Sequence, residues 1–383
     1  MQTVDNTYEE IDDFEKFSLK ETLLRGIFAY GFENPSPIQQ KSIKPIIARR
    51  DLIAQASSGT GKTGSFTIGV LEVIDETLPK IQAIIMAPTR ELASQINSVI
   101  SSLGEYMKIK SCLSVGGTRV KDNIESIRSC HVLVGTPGRV YDLLEQKAIS
   151  TKYVKILVMD EADQLLRTDF IGQIKKVIQN IPRESQICLF SATIPQDLMQ
   201  ITTYFLNNPV QILVDPESLT LEGIKQYYVN VEREQWKLGT LMDLYKSLKI
   251  SQSIIFVNTI EKCISLQKSL AENNHTVSVI HGQLTPDERN SVMKSFRLGH
   301  CRILLATDIL ARGIDVQHVN VVINYDLPSN TESYVHRIGR SGRYGRKGTA
   351  INFVTNSSYR YMTDIAKVYG ITINELPGDI SSL

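Results

Sequence analysis

At 383 residues the chain exceeds what one ordinary hydrophobic core holds, so two domains are expected. A hydrophobic content of 42% and a charged content of 22% exclude a disordered or coiled-coil protein. A net charge of +1 excludes whole-chain attraction to phosphate, so any nucleic-acid surface has to gather its basic residues locally.

The opening MQTVDNTYEEIDDFEKF is acidic and has no apolar stretch, which excludes a signal peptide. Apolar runs last about half a dozen residues, against about 20 for a membrane helix. No membrane partner is therefore expected. The five cysteines, Cys112, Cys130, Cys188, Cys263 and Cys301, are odd in number and contain no CxxC pair. They read as buried apolar residues in a reducing compartment, not as a disulfide framework or a zinc site.

Short β-branched runs alternate with segments of helical period. The first strands are expected at Asp51–Gln55, Gln82–Ala87, His131–Gly135, Val154–Met159 and Ile187–Phe190, with an amphipathic helix over Glu91–Leu103. The rhythm lapses at DPESLTLEG (215–223) and resumes at Ser253–Asn258, Thr276–Ile280, Arg302–Ala306, Val319–Asn324 and Gly348–Val354. This alternation predicts an α/β fold with two doubly wound parallel-sheet domains, residues 1–213 and 223–383, joined by a short flexible linker at 214–222.

ASSGTGKT (56–63) follows one expected strand and precedes a helix, the setting of a phosphate loop. Gly59 and Gly61 allow the backbone amides to turn inward, Lys62 supplies a charge for the terminal phosphates, and the Thr63 hydroxyl suits Mg²⁺. Asp160-Glu161-Ala162-Asp163 follows another strand directly. Ligands bind at that end of a parallel strand, so Asp160 is a candidate Mg²⁺ ligand. Glu161 is the candidate base for the water that attacks ATP.

In the second half, HRIGRSGR (336–343) sets Arg340 and Arg343 three residues apart, on one side of a helix or turn. Such a pair suits the charge that develops on a transferring phosphoryl group. Between Arg289 and Lys347 ten Arg and Lys face only four acids, so the basic residues that the net charge conceals are concentrated here.

Together these segments resemble the DEAD-box RNA helicases, and the resemblance spans nearly the whole chain. GFENPSPIQ (31–39) is similar to the family's Q motif, PTRELA (88–93) to motif Ia, and VGG (115–117) to its glycine doublet. TPGR (136–139) is similar to motif Ib, SAT (191–193) to motif III, IIFVNT (254–259) to motif IV, ATDILARGID (306–315) to motif V and HRIGRSGR to motif VI.

The resemblance implies two RecA-like domains that hydrolyse ATP with Mg²⁺. It places Phe32, Gln39, Ser58, Gly59, Thr60, Gly61, Lys62, Thr63, Gly313, Asp315, Arg340 and Arg343 at the nucleotide. Phe32 would stack on the adenine with Phe14 bracing it, and Gln39 would read the base edge. Thr89, Arg90, Gly116, Gly117, Thr136, Gly138, Arg139, Arg289 and Thr307 fall at the RNA. Asp163, Ser191, Thr193 and His336 couple the domains.

None of the proposed RNA contacts is aromatic, so binding is expected to follow phosphate and sugar, not base sequence. The minimal build, with LLRGIFAYGFENPSPIQQ and ITINELPGDI, resembles the translation-initiation branch of the family, and the exon-junction branch shares this form. The first implies a cytoplasmic monomer that acts on messenger RNA with a scaffold resembling initiation factor 4G. The second implies a nuclear RNA clamp whose ATPase a partner suppresses. A DNA translocase is a third reading, which the motifs disfavour. One departure stands out: the family's QxxR element reads Pro286-Asp287-Glu288-Arg289, which is expected to weaken the grip on RNA.

Overall fold

The computed structural model describes residues 10–57, 59–117, 127–213, 224–247, 250–308, 319–341 and 348–377. The chain divides into two units, Met1–Val214 and Asp215–Leu383. The expected linker at 214–222 lies outside the described residues.

In the first unit the strands are β1 (Leu52–Gln55), β2 (Ala83–Met86), β3 (Ser111–Ser114), β4 (Val132–Gly135), β5 (Ile156–Asp160), β6 (Gln186–Ser191) and β7 (Val210–Ile212). They form one sheet in the order β3-β4-β2-β5-β6-β1-β7, with every pairing parallel. Successive side chains of a strand point to opposite faces, and two cores result. Leu52, Ala54, Ile85, Val132, Val158 and Phe190 belong to one, and Ile53, Ile84, Leu133, Leu157, Met159 and Leu189 to the other. A sheet covered on both faces needs apolar residues at every position, which is why its central strands are continuous apolar runs.

The second unit repeats the plan with β8 (Ile224–Glu232), β9 (Ser253–Phe256), β10 (Val277–Ile280), β11 (Ile303–Ala306), β12 (Val321–Asn324), β13 (Gly348–Thr355) and β14 (Asn374–Glu375). Their order is β10-β11-β9-β12-β13-β8-β14, again wholly parallel. The doubly wound α/β architecture expected from the sequence is therefore present in both units. No helix of the described residues is long and apolar enough to cross a membrane. Of the five cysteines, four are buried and Cys112 is half-buried, all as free thiols.

Candidate active site and nucleic-acid interface

The carboxyl edge of the first sheet is shared between two groups of residues. Thr89 and Arg90 follow β2, Gly116 and Gly117 follow β3, and Thr136, Gly138 and Arg139 follow β4. These three strands are contiguous at one side of the sheet. The phosphate loop follows β1, Asp160 ends β5, and Ser191 ends β6, which are contiguous on the other side. Residues expected at RNA and residues expected at ATP thus occupy adjacent halves of one edge, where open α/β sheets bind ligands.

In the phosphate loop Gly59 and Gly61 take φ of 82° and 103°. The helix Lys62–Val73 starts directly after them, so its free N–H groups and positive dipole end face the loop. The Lys62 ammonium donates to the Ala56 carbonyl at 2.8 Å and is almost wholly buried. Ser58, also expected at the phosphates, lies outside the described residues.

The N-terminal aromatic wall lies against this loop. The Phe14 and Phe32 rings stack with centroids 6.2 Å apart, and Tyr30 meets Phe32 edge-on at 5.0 Å. Gln39 accepts from the Ser36 N–H at 2.8 Å and donates to the Gly61 carbonyl at 3.3 Å. An amide has two lone pairs and two N–H groups, so each end of Gln39 keeps capacity for a base edge.

Asp160 and Glu161 are both buried. Burial, and next the neighbouring Glu161, push the Asp160 carboxyl up to about 7 against the pull of Lys62. Glu161 itself sits in the left-handed region at φ 53°, ψ 51°, which turns its side chain away from the line of β5. Its N–H donates to Asp160 Oδ1 at 3.0 Å. Two carboxyls desolvated side by side near a lysine suit a divalent cation, which removes the cost of ionising Asp160.

A stability prediction follows from the same group. Its folded carboxyl titrates above the ordinary 3.8, so folding takes up a proton here. That contribution is full in acid and fades as pH rises from about 4 through about 7. Asp160→Asn, a mimic of the neutral form, should therefore raise the melting temperature of the nucleotide-free protein at about pH 8, and less at about pH 5. A gain independent of pH would contradict a raised carboxyl.

Asp163 connects the acidic motif to the SAT segment. It accepts from the Ser191 hydroxyl at 2.8 Å and from the Thr193 hydroxyl at 3.0 Å. The loop after β1 joins the same group, because the Ala56 N–H donates to the Ser191 carbonyl at 3.0 Å.

On the RNA half, Thr89 caps the helix Arg90–Leu103, accepting from the Leu92 N–H at 3.2 Å. The Arg90 guanidinium lies across the glycine doublet. A Cβ on Gly117 would come within 2.7 Å of Arg90 Nη1, and its φ of +86° already favours glycine. Gly138 and Arg139 lie in the first turn of the helix Pro137–Glu145, which Thr136 immediately precedes.

In the second unit Thr307 follows β11, and His336 lies on the helix Thr331–Ile338. Arg340 lies just past that helix, with Nε donating to the His336 carbonyl at 3.1 Å. Gly313, Asp315 and Arg343 lie outside the described residues. Arg289 donates to the Gly282 and Leu284 carbonyls at 2.8 and 3.0 Å. The proline of the altered QxxR element stands at the first position of the helix Pro286–Arg297, where a missing N–H costs nothing. Thr285 and Glu288 cap that helix reciprocally, so the substitution serves its start.

One group escaped the sequence reading. The wholly buried Arg337 donates to Asp308 Oδ1 at 2.6 Å, the Asp326 carbonyl at 2.6 Å, Asn258 Oδ1 at 2.9 Å and Asn324 Oδ1 at 3.3 Å. It thereby gathers the carboxyl ends of β9, β11 and β12. The Asp326 carboxylate accepts from Lys237 and Lys262, both at 2.8 Å. Burial alone would push this carboxyl up, but the two ammonium groups hold it below its ordinary value. The signal was available: an acid two residues past a buried strand, near the same end at which Asp160 closes β5.

A profile for DEAD/DEAH box helicases matches residues 36–201, and one for the helicase conserved C-terminal domain matches residues 236–345. The chain belongs to the DEAD/DEAH-box helicase family, whose members are RNA-dependent ATPases. It is 52% identical to eukaryotic initiation factor 4A of Drosophila melanogaster over 99% of this chain and 95% of the fly protein. The ATP-dependent RNA helicase eIF4A of Schizosaccharomyces pombe is 50% identical, over 99% of this chain and 97% of that protein. Among solved structures, S. cerevisiae Dbp5 bound to RNA and ADP BeF3 superposes with a TM-score of 0.91, at 36% identity and 96% coverage of each chain. Mss116p bound to ssRNA and AMP-PNP gives 0.86 at 26% identity, covering 98% of this chain and 81% of that one.

Proposed function

We propose that this chain is an ATP-driven clamp that holds single-stranded RNA without reading its sequence and melts local structure in messenger RNA during translation initiation. The observation that carries the proposal is the shared carboxyl edge, where hydroxyls, glycine amides and guanidiniums stand beside a phosphate loop and two buried carboxylates. Groups of the first kind hold phosphate and sugar and carry no base information. The relatives named initiation factor 4A support the role in translation. A cytoplasmic location and a scaffold resembling initiation factor 4G belong to the same proposal.

In this mechanism ATP rests on Gly59, Thr60, Gly61 and Lys62, with Phe32 and Gln39 at the adenine. Asp160 and Thr63 would hold Mg²⁺, which when bound draws charge from the terminal phosphates. Glu161 orients the attacking water and takes its proton. Arg340 and Arg343 of the second unit complete the charge stabilisation once RNA engages both units, and Asp163, Ser191, Thr193 and His336 transmit that engagement. Gating by assembly keeps ATP from being hydrolysed without RNA.

Steady-state ATPase with no nucleic acid, poly-U RNA and the matching DNA tests this. RNA alone should stimulate turnover, and more weakly as salt rises, because phosphate contacts release counterions. Equal stimulation by DNA would favour a translocase. Turnover indifferent to both would favour a partner-controlled scaffold.

A further inference from the structure

The helix Lys62–Val73, which begins at the phosphate loop, is fastened at both ends to the same N-terminal segment. At its start the Gln39 amide donates to the Gly61 carbonyl. Contact there is close: a Cβ on Gly64 would come within 2.7 Å of that amide and 2.9 Å of the Phe32 ring. At its far end, roughly 18 Å away for a helix of this length, one residue makes three bonds. The Lys20 N–H donates to Glu72 Oε2 at 2.8 Å, and its ammonium donates to the Leu71 and Ile74 carbonyls at 3.1 and 2.6 Å.

Leu71 and Ile74 carry two of the carbonyls that a helix leaves unpaired at its end, where a cation also meets the negative dipole. Lys155 takes a third, the Val73 carbonyl, at 3.4 Å. Lys20 differs from Lys155 in what lies beside it in sequence. It follows the short turn Phe14–Phe17 and immediately precedes the helix Glu21–Ala29, which leads to Tyr30 and Phe32. Phe14 and Phe17 are buried, and Phe14 stacks on Phe32. Lys20 is therefore the point at which the aromatic wall is fastened to the helix whose other end holds the phosphates.

We infer that Lys20 is a positioning residue for nucleotide selection: it fixes the adenine-side wall of Phe14, Phe32 and Gln39 relative to the phosphate loop. Lys20 touches no substrate. Loss of its two ammonium bonds lets the wall shift against the loop, so a base held by the wall loses affinity while the phosphates keep theirs. The effect belongs to purine choice and not to the chemical step. This inference rests on the proposed adenine role of Phe32 and Gln39.

The test uses the full chain and displacement of a fluorescent nucleotide by ATP and by GTP. Lys20→Met should weaken ATP about fivefold to tenfold and GTP by less than about twofold, with kcat at saturating ATP nearly unchanged, the pattern of lost uniform binding. Lys20→Arg, which keeps a cation at the carbonyls, should restore most of the preference. A Lys20→Met protein with a lower melting temperature but an intact ATP-over-GTP ratio would reduce Lys20 to a structural residue and overturn the inference. Gln39→Ala is the control. A ratio lost there and kept in Lys20→Met rejects Lys20 alone, whereas a ratio kept in both rejects the adenine reading beneath it.

Discussion

Glu161→Gln is expected to lower RNA-stimulated ATP turnover by about 10³-fold while leaving ATP and RNA binding near their original strength. The substitution keeps the size of the side chain and removes only its ability to take a proton. Backbone geometry makes the residue informative, because Glu161 holds a left-handed conformation that costs an ordinary side chain about 1–2 kcal/mol. Gln inherits that cost, so the only stability change expected is a gain at neutral pH from removing the charge that pushes the Asp160 carboxyl up. Glu161→Gly relieves the backbone cost and should give an equally inactive protein that melts at the same temperature or higher. Single-turnover hydrolysis with separate nucleotide and RNA titrations checks both. Turnover persisting in Glu161→Gln would remove the residue from the role of base.

Arg337→Met has the second largest expected effect, and it acts on stability first. The guanidinium, itself wholly buried, satisfies four acceptors and lies 5.1 Å from the Phe256 ring centroid. Methionine fills much of the volume but leaves Asn258, Asn324 and the Asp326 carbonyl without their donor. Breaking such a buried charged network costs about 3–5 kcal/mol. Trp236, the single tryptophan, lies in the second unit, and its fluorescence during urea unfolding reports that unit directly. The midpoint should fall sharply, while a first-unit probe such as nucleotide binding stays unchanged. An unshifted Trp236 transition would show that the network contributes little. Arg337→Lys keeps the charge but cannot span four acceptors, so it should fall between the two.

How far the sequence revealed the fold depended on where a strand sits in its sheet. The interior strands β1, β2, β4, β5, β6, β9, β11, β12 and β13 were legible as apolar runs because parallel strands covered on both faces admit little else. The sequence reading missed β3 (SCLS), β7 (VQI) and β14 (NE), which are edge strands, and β8, which neighbours an edge. These edge strands are short and partly exposed, so their composition resembles that of a loop, whereas β10 (VSVI), also at an edge, is apolar enough to have been read. β8 reads IKQYYVNVE, with polar residues scattered through it, and of its nine residues only Gln226 and Val231 are buried.

The site divides in a similar way. Lys62, Asp160 and Glu161 stood out because few residue types suit the chemistry proposed for them, and they follow apolar runs. Arg337 and Lys20 did not, because tertiary packing chooses their partners: Arg337 reaches Asp308, Asn258 and Asn324 at three separate strand ends, and Lys20 meets carbonyls that any sequence supplies. Pro286 looked like a defect in a motif and serves the start of a helix.

The boundary between the two halves of the first sheet's edge is a single backbone ladder. β2, which leads to Thr89 and Arg90, pairs directly with β5, which ends at Asp160, from Ala83 opposite Ile156 to Met86 opposite Met159. Strands so paired lie about 4.8 Å apart and cannot slide without breaking the ladder and reversing which side chains face each core. We expect the first unit to behave as a stiff plate beneath the two proposed footprints. A plate that does not deform cannot pass information between them, so within this unit occupancy of one should leave the affinity of the other unchanged. By reciprocity, whatever cooperativity ATP and RNA display has to be stored in the recruitment of the second unit.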